Sequence, residues 1–123
     1  MRSTVVDYIN RKNPIDWENE KFYGNISEDF LTEFQNKINW RHISFYQDLS
    51  ENFIEKFQNK VDWELISEIQ ELSQELIENF QNKVDWYYIS ECQTLSEEFI
   101  EKFQDKVNWN NISKRQQLSE KFI

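Results

Sequence analysis

A single histidine, His42, and a single cysteine, Cys92, are the chain's readiest proton carrier and nucleophile. A Cys/His catalytic pair or a zinc site needs such groups close together. These two fall more than two sequence repeats apart, so neither site is expected. Gly24 is the one glycine, which excludes a glycine-rich phosphate loop. Carboxylates are plentiful but stand in regular rows, where exposed groups gain little of the pKa shift that general acid–base work requires. Glu28, Glu51, Glu97 and Glu120 share one register, interrupted by Gln74; Glu55, Glu78 and Glu101 share another. The amide row Gln47, Gln70, Gln93 and Gln116 reads as an interior ladder that bonds helix ends. The expectation is a non-enzymatic protein with no cofactor and no resident metal.

The elements that place these residues repeat. Tryptophan recurs at Trp17, Trp40, Trp63, Trp86 and Trp109, always twenty-three residues apart, and a fixed period of that size marks a repeat protein. The segment from Val61 to Lys83 shows two helix starts. Asp62 stands as an N-cap with Val61 and Ile66 as a hydrophobic staple, and Ser73 as a second cap with Leu72 and Ile77. These predict helix A over Asp62–Gln70 and helix B over Ser73–Phe80, with Asn82 suited to a left-handed C-terminal position. Trp63, Ile66 and Gln70 share one face of A, with Ser67 at its edge; Leu76, Ile77 and Phe80 form the stripe of B. The Trp row reads as core. One repeat buries too little to stand alone, whereas stacked repeats bury a continuous core. The predicted fold is all-α: short helix-pair repeats stacked as an α-solenoid. A single repeat domain spans 1–123, with an N-terminal half-repeat (1–15), repeats at 16–38, 39–61, 62–84 and 85–107, and a truncated repeat at 108–123.

The ends depart from the pattern. Thr4 and Asp7 have capping-box spacing before a B-like helix. Glu20, Lys21 and Gly24 replace core and capping types in the first A helix, as expected of a capping repeat. The last B helix stops at Phe122 and Ile123 and leaves an open end through which copies of the chain are able to associate.

With a formal net charge of −9 and a pI near 4.6, the chain is expected to repel nucleic acid and anionic lipid directly and to favour basic proteins. Met1 is followed by polar residues and no apolar run, against a signal peptide or membrane span. One cysteine fits a reducing, cytoplasmic setting. The sequence lacks alanine and holds one glycine and one proline; these residues share GC-rich codons, which points to an AT-rich genome.

The motif W-x2-I-S-x2-Q-x-L-S-x2-F-I-x2-F stands here as Trp40, Ile43, Ser44, Gln47, Leu49, Ser50, Phe53, Ile54 and Phe57. It resembles short tandem repeats in proteins of giant viruses, bacteriophages and AT-rich bacteria, and the likeness covers nearly the whole chain. The resemblance implies helical repeats and a viral or mobile-element origin, and carries no functional residue with it. Tetratricopeptide and ankyrin repeats are longer. A leucine-rich repeat matches the length but not the strand signature L-x-x-L-x-L, and remains the alternative fold.

Positions one, two and five after each Trp vary among repeats: Glu18, Asn19 and Phe22; Arg41, His42 and Phe45; Glu64, Leu65 and Glu68; Tyr87, Tyr88 and Glu91; Asn110, Asn111 and Lys114. Position six reads Tyr23, Tyr46, Ile69, Cys92 and Arg115. A constant scaffold with varied helix faces is how solenoids present a binding surface. The expected partner-binding residues are therefore Arg41, His42, Phe45, Leu65, Tyr87 and Tyr88, all placed on the outer face of helix A. The Glu55, Glu78 and Glu101 row is the competing surface, an acidic decoy for a basic nucleic-acid-binding protein such as a host or defence enzyme. Lys56, Lys102 and Lys121 partly offset that row. Three readings stay open: a protein-binding module, an acidic inhibitor in the manner of small anti-CRISPR proteins, and a self-assembling structural piece.

Overall fold

The computed structural model describes residues 25–115. Among these residues there are eight helices and no strand, so the chain is all-α. They fall into two compact units, Met1–Asp62 and Trp63–Ile123. The first holds α1 (Glu28–Glu33), α2 (Trp40–Tyr46) and α3 (Glu51–Lys56). The second holds α4 (Trp63–Ile69), α5 (Gln74–Asn79), α6 (Trp86–Cys92), α7 (Glu97–Lys102) and α8 (Trp109–Arg115). Helices α2, α4, α6 and α8 are the A helices, each opening on a Trp; α1, α3, α5 and α7 are the B helices. The predicted half-repeat around Thr4 and Asp7, the atypical Glu20, Lys21 and Gly24, and the end at Phe122 and Ile123 lie outside the described residues.

Among the described residues no helix exceeds seven residues. Segments that short do not hold in water by themselves; caps and packing hold these. Each B helix is opened by a serine whose Oγ accepts the amide three residues on: Ser27 from Phe30, Ser50 from Phe53, Ser73 from Leu76 and Ser96 from Phe99, all at 3.1 Å. Among the A helices, Asn39 Oδ1 accepts the Arg41 and His42 amides, and Asp85 Oδ1 those of Tyr87 and Tyr88. Each B helix closes on a phenylalanine carbonyl that takes two amides at once. In the repeat of α5, Phe80 accepts Lys83 at 2.8 Å and Val84 at 3.0 Å.

The residues of the predicted staples, Val61, Ile66, Leu72 and Ile77, are each buried. The isoleucines Ile43, Ile66, Ile89 and Ile112 of the A helices and Ile54, Ile77 and Ile100 of the B helices are fully enclosed. Within the second unit, α4 packs on α6 and α6 on α8, the serial stacking of a helical solenoid.

The tryptophans correct one expectation. Among the described residues Trp40, Trp63 and Trp86 are not core but half-buried lids, and Trp109 is 43% exposed; Trp17 lies outside the described residues. An indole carries an N–H that must find an acceptor, and here it reaches back to the preceding turn. Trp40, Trp86 and Trp109 Nε1 donate to the carbonyls of Gln35, Gln81 and Gln104 at 2.9, 2.9 and 3.0 Å. The ring then lies over the phenylalanines of the next B helix: Trp40 on Phe53 and Phe57 at 5.9 and 5.2 Å, Trp86 on Phe99 and Phe103 at 6.2 and 5.5 Å.

Candidate interaction face

Polar groups between repeats are spent on structure. Ser44, Ser67 and Ser90 are fully buried, and each Oγ accepts the amide of the cap residue eighteen positions on. These bonds join Ser44 to Asp62 at 3.0 Å, Ser67 to Asp85 at 2.9 Å and Ser90 to Asn108 at 2.8 Å. The glutamines act in the opposite direction along the chain. Gln47 Oε1 accepts the Ile26 amide at 2.9 Å. Gln93 Oε1 accepts that of Leu72 at 3.0 Å, while its Nε2 donates to the carbonyls of Ser67 and Gln70 at 2.9 and 2.7 Å. The expected glutamine ladder is thus seen at Gln47 and Gln93, with Gln70 buried and Gln116 outside the described residues, and the serine ladder beside it was visible only as a recurring residue type.

The first acidic row proves to be more than a solvated stripe. Glu28 accepts both the amide and the hydroxyl of Ser50, at 2.8 and 2.9 Å. Gln74, where the row breaks, accepts the Ser96 amide at 2.6 Å through Oε1. What the position needs is an acceptor oxygen, which an amide supplies as well as a carboxylate. In the second row Glu55 and Glu101 are exposed, while Glu78 is held by Lys102 at 2.7 Å. Lys56 and Lys102 also lie over the Phe57 and Phe103 rings, 5.5 and 5.7 Å from their centroids, so cations fold onto the surface that the decoy reading requires to be acidic.

On the A helices, positions one and six after Trp are exposed, while position five is exposed at Phe45 and Lys114 and half-buried at Glu68 and Glu91. Phe45 is 44% exposed, Tyr46 40%, Ile69 44% and Tyr87 49%. Position two does not belong with them, which corrects the outer-face reading. Leu65 is 8% exposed and Asn111 3%, and His42 and Tyr88 are half-buried. The reason is that an A helix is flanked by A helices as well as by its own core. In the second unit, Asn111 Nδ2 on α8 donates to the Tyr87 carbonyl on α6 at 3.0 Å. Position two of α8 therefore faces α6, and Leu65, buried by its own measure, is withdrawn from the expected contact residues. A single-helix projection places position two opposite the core, and only the stacking reveals a second buried flank.

Two different outer faces result. In the first unit, Arg41 forms an ion pair with Asp62 at 2.7 Å, and Phe45 stands edge-on to Tyr46 at 4.7 Å. His42 meets Tyr46 edge-on at 6.1 Å, its Nδ1 enclosed without a hydrogen-bond partner. In the second unit, Tyr87 and Tyr88 stand edge-on at 5.1 Å. The Tyr88 phenol is held above the ordinary tyrosine pKa chiefly by Glu68, then by burial and by Glu64, Tyr87 and Asp85. A groove of about 400 Å³ opens beside this face, lined by Glu68–Leu72 and by Cys92, Gln93 and Thr94.

Cys92 is exposed, but its thiol is pushed up by burial and by the Glu91 and Glu68 charges, with Arg115 opposing. The thiolate is the nucleophile, so this environment works against covalent chemistry. Among the described residues no group of three or more His, Cys, Asp or Glu side chains is placed to hold a metal, and no helix is long and apolar enough to cross a membrane. No protein-family model, no curated protein and no solved structure matches the chain.

Proposed function

We propose that this protein is a non-enzymatic protein–protein interaction module, binding its partner through positions one, five and six of the A helices, together with the half-buried Tyr88 that stands against Tyr87. One observation carries the reading. The residues constant between repeats (Ile, Ser and Gln of helix A; the cap Ser and the Ile or Leu of helix B) are consumed by packing or by hydrogen bonds. Of the varied A-helix positions, one and six are exposed and five is exposed or half-buried, and they bear Phe45, Tyr46, Ile69 and Tyr87; position two alone is nowhere exposed, and on α8 it turns toward a neighbouring helix. Aromatic side chains at such positions are the usual anchors of interfaces.

The net charge of −9 favours a basic partner, and a nucleic-acid-binding protein is the class that displays such a surface most often. Inhibition of a host or defence protein of this kind is the most concrete form of the function. A viral or phage origin rests on the resemblance of the repeat motif alone. Self-assembly rests on Phe122 and Ile123, outside the described residues.

The test is capture from a bacterial lysate on the immobilised full chain, comparing wild type with the Phe45→Ser/Tyr87→Ser/Tyr88→Ser variant. Circular dichroism reports whether helicity is unchanged. The variant is expected to lose the captured protein while remaining helical. Capture that survives the triple substitution in a folded variant removes the proposal.

A further inference from the structure

We infer that the second unit holds its partner by cationic side chains. An arginine- or lysine-bearing protein segment lies across α4 and α6, its cations over the Tyr87 and Tyr88 rings and beside Glu64, Glu68 and Glu91. The inference rests on the proposed A-face binding and names the chemistry of its partner. Three features support it.

First, α4 packs directly on α6. Helices in such contact have axes about 8–10 Å apart, so one extended segment reaches both. Second, Tyr87 is 49% exposed and its ring is set edge-on to Tyr88. That arrangement leaves an aromatic face open on an outer helix surface, where a guanidinium or ammonium group is attracted by the ring quadrupole. Third, the carboxylates here are uncompensated. The B row has Lys102 on Glu78, whereas Glu64, Glu68 and Glu91 form no ion pair among the described residues. The influence of Glu68 and Glu64 on the Tyr88 phenol places their charge at the tyrosine pair. Lys114 and Arg115 on α8 give the acidic field a border.

Charge complementarity selects among occupants. A phosphate-bearing polymer meets like charge on this face. A second copy carries the same net charge of −9, so two such chains repel one another at these acidic faces. A basic segment from another protein fits both the rings and the carboxylates.

The experiment titrates the full chain into fluorescein-labelled Arg-Gly-Ser repeat peptide and follows anisotropy, with a Glu-Gly-Ser peptide as control. It compares wild type with Tyr87→Ser/Tyr88→Ser, with Glu64→Gln/Glu68→Gln, and with the B-row variant Glu55→Gln/Glu101→Gln. The Glu64→Gln/Glu68→Gln pair preserves shape and keeps the test valid if the tyrosine variant fails to fold. Both A-face variants are expected to bind the arginine peptide at least roughly tenfold more weakly, with the B-row variant within about twofold of wild type. Equal weakening by the B-row variant overturns the inference, because binding then follows bulk charge. No binding of the arginine peptide, in a chain whose lysate capture still depends on Phe45, Tyr87 and Tyr88, overturns this inference and leaves the interaction module standing. If lysate capture also survives the triple substitution, both readings fall. A concentration-dependent dimer of the chain alone that Tyr87→Ser/Tyr88→Ser abolishes assigns the face to a second copy, and likewise overturns it.

Discussion

On its inner side, α6 encloses Ile89 and Ser90 completely, and Ser90 Oγ accepts the Asn108 amide at 2.8 Å. On its outer side Tyr87 is 49% exposed, its ring edge-on to Tyr88. The inner side is nearly identical in α2, α4 and α6, where Ser44, Ser67 and Ser90 are enclosed and bond onward, because a bond made to the next repeat must be made again by the next. The outer side differs from helix to helix, because nothing in the stack constrains it. Translational repetition thus divides each short helix into a part that belongs to the architecture and a part that is free to acquire specificity.

The sharpest way to break this division is to remove inner-side volume. Ile89→Ala takes a fully enclosed side chain from a helix packed on both α4 and α8, and is expected to cost about 2–5 kcal/mol by urea denaturation. In a stack so short, that loss abolishes cooperative folding of the second unit. The next largest effect belongs to Gln93→Leu, which keeps the bulk but leaves the Leu72 amide and the Ser67 and Gln70 carbonyls without their partner. Unsatisfied buried groups of this kind cost about 1–3 kcal/mol each before relaxation, and a fall of about 2–3 kcal/mol is expected. A variant as stable as wild type shows that water replaces the amide.

A smaller effect tests the acceptor row. Gln74→Leu removes the oxygen that binds the Ser96 amide and is expected to lose about 1 kcal/mol. Gln74→Glu, which restores the row's usual residue, is expected to stay within about 0.5 kcal/mol of wild type. If both variants melt alike, charge and hydrogen bonding at this position are equally dispensable.

The smallest effect is on the outer side and changes reactivity instead of stability. Burial and the Glu91 and Glu68 charges favour the neutral Cys92 thiol, so the thiolate forms at higher pH than in a free cysteine. Alkylation by iodoacetamide should be slow at neutral pH and rise only under more alkaline conditions. Glu68→Gln removes one raising charge and moves that rise to lower pH. With one cysteine in the chain the readout is unambiguous, and rapid alkylation at neutral pH contradicts the assigned environment.

Helix positions were legible to within a residue because capping is local. Asp62 and Ser73 mark helix starts by their own chemistry and that of the next few residues, and α4 and α5 begin one residue after them. The glutamine ladder was legible because a polar residue recurring on an apolar face has to be satisfied there. The candidate face was legible only in part. Phe45 and Tyr87 are outward, whereas Leu65 is withdrawn into a flank that one helix considered by itself does not possess. Trp40, Trp86 and Trp109 were misplaced for a related reason: their hydrophobic area suggests the core, but the indole N–H is drawn to a turn carbonyl at the surface of the repeat.

The period, the helix pair and the caps are properties of residues close together in the chain, and the amino-acid sequence alone determined them. What serves as seam and what as face was decided by stacking. Hydrogen bonds between Ser67 and Asp85 or between Gln93 and Leu72 join residues roughly a full repeat apart, and burial at position two depends on a neighbouring helix. Local rules set each repeat, and only the packed neighbours determine which of its side chains remain available to a partner.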